Sequence, residues 1–358
     1  MKGLLLAGGH GTRLRPLTLN GNKHMIPIAN KPMLFYGLQH LSQAGIKEIG
    51  IILGPINEGI REAIGDGSKF GVRVTYIPQP QPLGLAHAVK ISENFIKNEP
   101  FVMYLGDNLL RQGLVPLIRA YYNEGSNCII CVTPVKNPNQ YGIVELDSNG
   151  HILRLVEKPK DTTSHLALTG AYLFDESIFE AAKDINPSWR NELEITDAIQ
   201  LLLERGKKIS VQHTKGWWKD TGKPEDLLEA NQLVLDDLSG TVDDSAIIQH
   251  NSQLVGKVSI GRNTVIGCNS KLKGPIIIGN NCNIGANVYI GPYTSIGNDS
   301  QILSGEVEGS IIMDNVLINC NRRIVDSIIG RRSQLEFANA SLPSGLKFIL
   351  GENTLCRI

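Results

Sequence analysis

The chain has no excess of charge of either sign. Its 35 lysines and arginines balance 35 aspartates and glutamates, so no global field draws it to nucleic acid or to a membrane surface. It has no apolar run approaching the length that spans a bilayer. Met1-Lys2-Gly3 leads straight into a strand too short to serve as a signal sequence. Cysteine is sparse and scattered, six in 358 residues, which sets a reduced, cytoplasmic protein as the expectation. Cys128 and Cys131 do form a C-x-x-C. Ile129 and Ile130 between them mark a buried strand, on which positions three apart face opposite sides, so core thiols are expected there and not a redox or zinc pair. The length predicts two domains.

What is present is concentrated first in residues 2–32. Leu4-Leu5-Leu6 is apolar without alternation, the mark of a strand buried on both faces of a parallel sheet. Gly8-Gly9-His10-Gly11-Thr12-Arg13 follows at once. Glycines let backbone N–H groups close on a phosphate, and the planar fork of Arg13 suits phosphate oxygens. Lys23 adds a second cation, and Asn30-Lys31-Pro32 opens the first long helix with proline at a favoured first position. The dinucleotide fingerprint Gly-x-Gly-x-x-Gly is not met, because Leu14 stands where its third glycine falls. No Gly-Lys-Ser/Thr follows to make a P-loop. A purely structural turn leaves Arg13 and Lys23 unexplained.

Strand and helix patterns then alternate, predicting an α/β fold with helices on both faces of the sheet. Strands are expected at 49–53, 72–77 and 101–105, and a hairpin joins 141–145 to 153–157 through Ser148-Asn149-Gly150. Pro78-Gln79-Pro80-Gln81-Pro82-Leu83-Gly84 is a stiff loop suited to walling a planar group, and the Gln79 amide offers both a donor and an acceptor. Asp107 in Gly106-Asp107-Asn108 falls just past a parallel strand, where a hard oxygen ligand can hold Mg²⁺ together with substrate phosphates. A helix over 227–235 and a linker at 239–241 end this first domain, placed at 1–238. From position 248 to 302 an aliphatic residue recurs every sixth position, often followed by glycine, and the phase returns at Ile312, Ile318 and Ile324. That period belongs to a hexapeptide β-helix, placed at 246–358.

Residues 2–32 resemble, over their full length, the signature of the sugar-1-phosphate nucleotidylyltransferases. The resemblance implies a Rossmann-like mixed sheet followed by a left-handed parallel β-helix. The thymidylyl branch of the family is favoured, which implies Mg-dependent transfer from dTTP to glucose-1-phosphate, giving dTDP-glucose and pyrophosphate. By comparison with that branch, Gly8, Gly9, Gly11, Thr12, Arg13, His24, Gln79, Gly84 and Asp107 bind the nucleotide. Gly142, Glu157, Lys158, Leu168, Gly170, Tyr172 and Arg190 hold the sugar phosphate, Asp107 and Asp220 hold Mg²⁺, and Arg13, Lys23 and Lys158 carry the catalysis. His24 departs from the branch, which reads glutamine after the lysine, and this opens UTP use. A guanylyltransferase that makes GDP-mannose is a further alternative on the wording Arg15-Pro16-Leu17-Thr18-Leu19. Acetyl transfer in the β-helix would ask for a base, and His250 is the only histidine beyond position 213. A structural or assembly role, in a homo-oligomer, is therefore expected. A bifunctional acetyltransferase and a silent regulatory subunit remain as rivals. Retention of Arg13, Lys23, Asp107, Lys158 and Asp220 speaks against silence.

Overall fold

In the computed structural model, which describes residues 1–19, 21–57 and 59–336, Leu4-Leu5-Leu6 lies in a central strand, β1 (Lys2–Ala7), buried throughout. On one side β2 (Glu48–Leu53) pairs parallel with it, and β3 (Arg73–Pro78) extends the sheet beyond β2. On the other side β4 (Phe101–Leu105) is also parallel. Successive residues of a strand face opposite sides. Leu4 and Leu6 therefore join one core, with Ile52 and Met103, while Leu5 and Ala7 join the other, with Leu34 and Leu38. Two covered faces leave no position for a polar alternate, which is why β1 reads as an unbroken apolar run.

The rest of the sheet is largely antiparallel. After β5 (Asn108–Leu110), which lies outside it, come β6 (Cys128–Pro134), the hairpin β7 (Gly142–Leu146) and β8 (Ile152–Glu157), and the long β9 (Leu166–Phe174). Next are β10 (Ile209–His213) and β11 (Trp218–Asp220). The nine-stranded order is β8-β7-β9-β4-β1-β2-β3, with β6 also on β9 and β10 on β6. Cys128 and Cys131 are free and buried in β6, one in each core, and burial pushes the Cys131 thiol up to about 12. The first long helix begins at Met33. Pro32 does not open it, because Lys31–Pro32 is taken up in a two-residue ladder with Pro27–Ile28.

The described residues form two compact units. One comprises 1–11, 21–25 and 33–220; the other gathers 12–19, 26–32 and 221–336. In the second unit, Ile248, Ile266, Ile284 and Ile302 stack in register at intervals of eighteen, and Ile318 and Leu335 continue the column. Leu254, Leu272, Ile290, Val307 and Ile324 make a second column; Ile260, Ile278, Ile296, Ile312 and Ile329 make a third. Three hexapeptides thus complete one coil of the left-handed β-helix, with one aliphatic residue inward on each face. Corners at Asn263, Asn281 and Asp299 adopt left-handed backbone, φ 55–58°, which Asn and Asp tolerate best after glycine. Their side chains form a ladder: the Asn263 amide donates to Asn281 Oδ1 at 3.3 Å, and the Asn281 amide to Asp299 Oδ1 at 3.0 Å. The glycines let coils stack closely; a Cβ on Gly285 would lie 2.3 Å from the Leu303 carbonyl oxygen.

A helix, Pro224–Asp236, belongs to the same unit. Its buried Asn231 accepts the Ala29 N–H at 2.8 Å and donates to the Tyr293 carbonyl at 3.1 Å. Asn30 donates to the Ile296 carbonyl at 2.6 Å. The segment 26–32, near the start of the chain, is thereby tied to helix and coil.

Candidate active site

Within the first unit the parallel strands end level. Ala7 pairs with Leu53, Leu53 with Pro78, and Leu6 with Leu105. The residues that follow, Gly8-Gly9, Gln79 and Asp107, therefore share one carboxyl edge, where open α/β sheets bind ligands. A cavity of about 280 Å³ lies there, lined among others by Gly8, Gly9, Lys23, His24, Gln79, Gly84, Asp107 and Arg190.

Asp107 and Lys23 form an ion pair in which both side chains are largely buried. Burial alone would raise the Asp107 carboxyl, but Lys23 and a hydrogen bond from Asn108 at 3.0 Å hold it well below the usual range. Asn108 is fixed in turn by Trp218, whose indole N–H donates to its Oδ1 at 2.7 Å. Strand β11 pairs antiparallel with β5, and the register sets Asp220 opposite Asn108. Two carboxylates from distant parts of the sequence thus stand at one end of a short ladder. Behind them His24 is only 2% exposed. Burial first, then Lys23, pushes its pKa down to about 3. Asn22 Oδ1 accepts from both the His24 backbone N–H, at 2.9 Å, and the ring Nδ1, at 2.7 Å. An oxygen can only accept, so the proton sits on Nδ1 and Nε2 is left as an acceptor.

Gln79 is 5% exposed. Its Nε2 faces the Gly84 carbonyl at 3.4 Å and His87 Nδ1 at 3.0 Å. Since the carbonyl can only accept, that end of the amide must be the NH₂ group. The oxygen is turned the other way, over Gly8, where a Cβ would lie 2.5 Å from it. Among the described residues no protein donor reaches this oxygen. The oxygen is not sealed in the core: Gln79 lines the cavity, where a donor on a ligand can reach it.

The second cluster gathers where β7 and β8 meet. Glu157, at the end of β8, pairs with Gly142 across the hairpin, and a Cβ on Gly142 would lie 3.1 Å from its Oε2 and 3.1 Å from Leu168 Cδ1. Arg190 lies 3.3 Å from Glu157 and 3.4 Å from Glu194, and Lys158 is 3.7 Å from Glu157. Burial, then the neighbouring Glu194, pushes Glu157 up to about 7 against the opposing pull of Lys158 and Arg190. Arg190 belongs both to this cluster and to the cavity lining, so the two groups are contiguous. Gly170 (φ 73°) sits where the pairing of β9 with β6 slips, against Leu105 and Asn108. Tyr172 is 2% exposed and stacked on Phe174 at 5.8 Å, as part of the core.

Gly11 (φ 64°) ends the first unit's share of the glycine loop, and Thr12 and Arg13 belong to the second unit. There the Arg13 guanidinium packs on Gly222, 3.1 Å from where a Cβ would be. His250 is exposed on the β-helix. Sequence reasoning missed Asn22, His87, Trp218, Glu194 and Asn231. Asn22, His87, Trp218 and Asn231 each hydrogen-bond a neighbour, whereas Glu194 acts on Glu157 through its charge; only the bonding capacity or charge of these side chains could have hinted at them.

Residues 2–237 match the nucleotidyl transferase family, and residues 272–353 match the GMPPB C-terminal domain. The chain belongs to the nucleotidyl transferase family and is an enzyme of that class. Among its relatives, the low-salt glycan biosynthesis nucleotidyltransferase of Haloferax volcanii is 46% identical, with both chains covered over 100% of their length. The glucose-1-phosphate thymidylyltransferase of Streptomyces griseus is 42% identical over 100% of this chain and 99% of its own. Among solved structures, a UDP-glucose pyrophosphorylase complexed with UDP-glucose superposes with a TM-score of 0.59 at 29% identity. It covers 66% of this chain and 98% of that one.

Proposed function

We propose that this enzyme transfers a thymidylyl group from dTTP to glucose-1-phosphate, releasing pyrophosphate and forming dTDP-glucose. The observation that carries the reading is the partnerless Gln79 oxygen. A thymine ring presents an imide N3–H, and an acceptor fixed at the end of β3 matches it. The Streptomyces griseus relative carries this activity in its name. The triphosphate takes the glycine edge, Gly8 to Gly11, with Thr12 and Arg13 assigned to it on their place in the sequence. Gly84 belongs to the wall of the base pocket. Lys23 and Lys158 offset charge as the sugar-phosphate oxygen attacks the α-phosphorus in line, so that positioning and electrostatics supply most of the catalysis.

Asp107 and Asp220 suit a Mg²⁺ ion, which takes one or two carboxylates and shares the rest of its shell with phosphates and water. Among the described residues no three or more His, Cys, Asp or Glu side chains form a closed cage, in keeping with an ion shared with substrate. When bound, Mg²⁺ neutralises charge on the phosphates. Glu157 accepts sugar hydroxyls, Gly142, Leu168, Gly170 and Tyr172 shape the pocket around the sugar, and Arg190 supports Glu157. The protein is assigned to the cytoplasm, and the β-helix, whose His250 is exposed, to assembly of copies of this chain. No described helix is long and apolar enough to cross a membrane.

A matrix of nucleoside triphosphates against sugar-1-phosphates, scored by pyrophosphate release, tests the assignment. The highest kcat/KM is expected for dTTP with glucose-1-phosphate; a purine triphosphate giving the highest value would overturn it. UTP is the second reading. Uracil carries the same N3–H, and the imidazole of His24, whose Nε2 can only accept, replaces an amide that could both donate and accept.

A further inference from the structure

The Gln79 amide could in principle face either way, since its two ends have nearly the same shape. Turned one way it offers the cavity an oxygen; turned the other way it offers two N–H donors. The choice decides which pyrimidine fits. Thymine and uracil carry an N–H at ring position 3, whereas cytosine carries a lone pair there. An acceptor accommodates the first two and leaves cytosine facing like against like.

Two contacts set the direction. The Gly84 carbonyl is 3.4 Å from Nε2, at the outer limit of a hydrogen bond. His87 Nδ1 is the shorter, at 3.0 Å. His87 lies on the helix Leu85–Ile91, directly after Gly84, and is half-buried. Burial and then Lys90 hold its imidazole below the usual value, which keeps the Nδ1 lone pair available to accept. Nothing in the proposed chemistry uses His87.

We propose that His87 is a positioning residue for base selection: by accepting a hydrogen bond from Gln79 it turns the amide oxygen toward the base and so selects pyrimidines with an imide N–H over cytosine. The proposal rests on the reading of Gln79 as the base contact. His87 does not touch the nucleotide, so its effect belongs to discrimination between bases, and turnover with saturating dTTP stays near wild type.

The test is the ratio of kcat/KM for dTTP over dCTP, with glucose-1-phosphate saturating. In His87→Leu the shorter contact is lost and the ratio is expected to fall about tenfold, mainly through the KM for dTTP, since one misdirected buried hydrogen bond is at stake. His87→Gln, whose oxygen can accept from Nε2, restores the ratio to within about threefold of wild type. His87→Lys, which only donates, pulls the Gln79 oxygen away from the base and lowers the ratio further than leucine does. An unchanged ratio in His87→Leu, or equal ratios in His87→Gln and His87→Lys, would overturn the proposal; the second comparison decides if the leucine variant folds poorly. Gln79→Ala separates the two claims. Loss of the ratio there with no change in the His87 variants defeats the His87 proposal alone, whereas an unchanged ratio in Gln79→Ala defeats the base contact on which it stands.

Discussion

The mixed sheet and the β-helix both bury columns of aliphatic side chains, but they finish their strands differently. In the β-helix each strand turns at a short corner whose polar groups bond to the next coil: the Asn280 N–H meets Asn298 Oδ1 at 2.8 Å, and the Asn298 N–H meets Asp314 Oδ1 at 2.9 Å. Among the described residues, Thr294 Oγ1 and Ser295 Oγ are the buried side-chain atoms there without a partner. In the sheet, polar groups at the strand ends gather unevenly: an ion pair at Lys23–Asp107, a carboxyl at Glu157 raised by burial and by Glu194, and, among the described residues, an acceptor without a donor at Gln79. A region whose corners bond to one another from coil to coil, and whose unpaired groups among the described residues are two interior hydroxyls of one strand, is a scaffold. A region that turns unpaired hydrogen-bonding capacity and perturbed pKa values onto a cavity at one edge is built to receive a ligand.

If that contrast holds, damage to the two regions separates into stability and chemistry. The largest effect is expected for Ile284→Ala, which empties a site in the fully buried column. It should cost about 2–5 kcal/mol, seen as a lowered Tm with kcat little changed in the protein that remains folded. Asp107→Asn comes next: it keeps the shape, removes the charge that Lys23 pairs with, and should lower kcat of the folded protein by about 10²-fold, worth roughly 2.7 kcal/mol, beside a lowered Tm from the buried Lys23 left unpaired. A full-rate Asp107→Asn enzyme would erase the distinction. Smaller again is Asn231→Ala, which leaves the Ala29 N–H and the Tyr293 carbonyl unpaired and should cost about 1–3 kcal/mol by chemical denaturation.

The smallest effect sharpens the contrast through pH. Glu157 is raised to about 7 in the folded protein from an ordinary value of 4.5. The folded state therefore binds the extra proton between these values, and the stability this group contributes is full below about 4.5 and is lost as pH rises through about 7. Binding runs the other way, because only the carboxylate accepts two sugar hydroxyls. The KM for glucose-1-phosphate should fall a few-fold between about pH 6 and 8, and Glu157→Gln should flatten that dependence. A slope that persists in Glu157→Gln would assign it to another group.

The two regions were also unequally legible. Between positions 248 and 302 the β-helix could be read to the residue, because Ile266, Ile284 and Ile302 each repeat the environment of the one before; Val307, one residue short of the period, was not legible, and the part expected at 337–358 lies outside the described residues. Strands such as β1 and β4 were equally plain, being apolar runs closed by glycine. Much of the second unit's make-up was not legible: residues 26–32 join it through Asn30 and Asn231, and a lone asparagine carries no mark of a distant partner. Within the site, Gln79 and Asp107 were visible as residues placed after strands. The direction of the Gln79 amide, the proton on His24 Nδ1 and the raised Glu157 depend on neighbours brought in by the fold, and no local pattern encodes them.

Equilibrium binding of dTTP to the wild-type enzyme and to Gln79→Ala, followed by calorimetry at one pH and salt, bears most directly on the idea that this strand edge receives the nucleotide. The account predicts binding weakened about tenfold in the variant, with an unchanged melting profile. Equal affinity in the two proteins would contradict it.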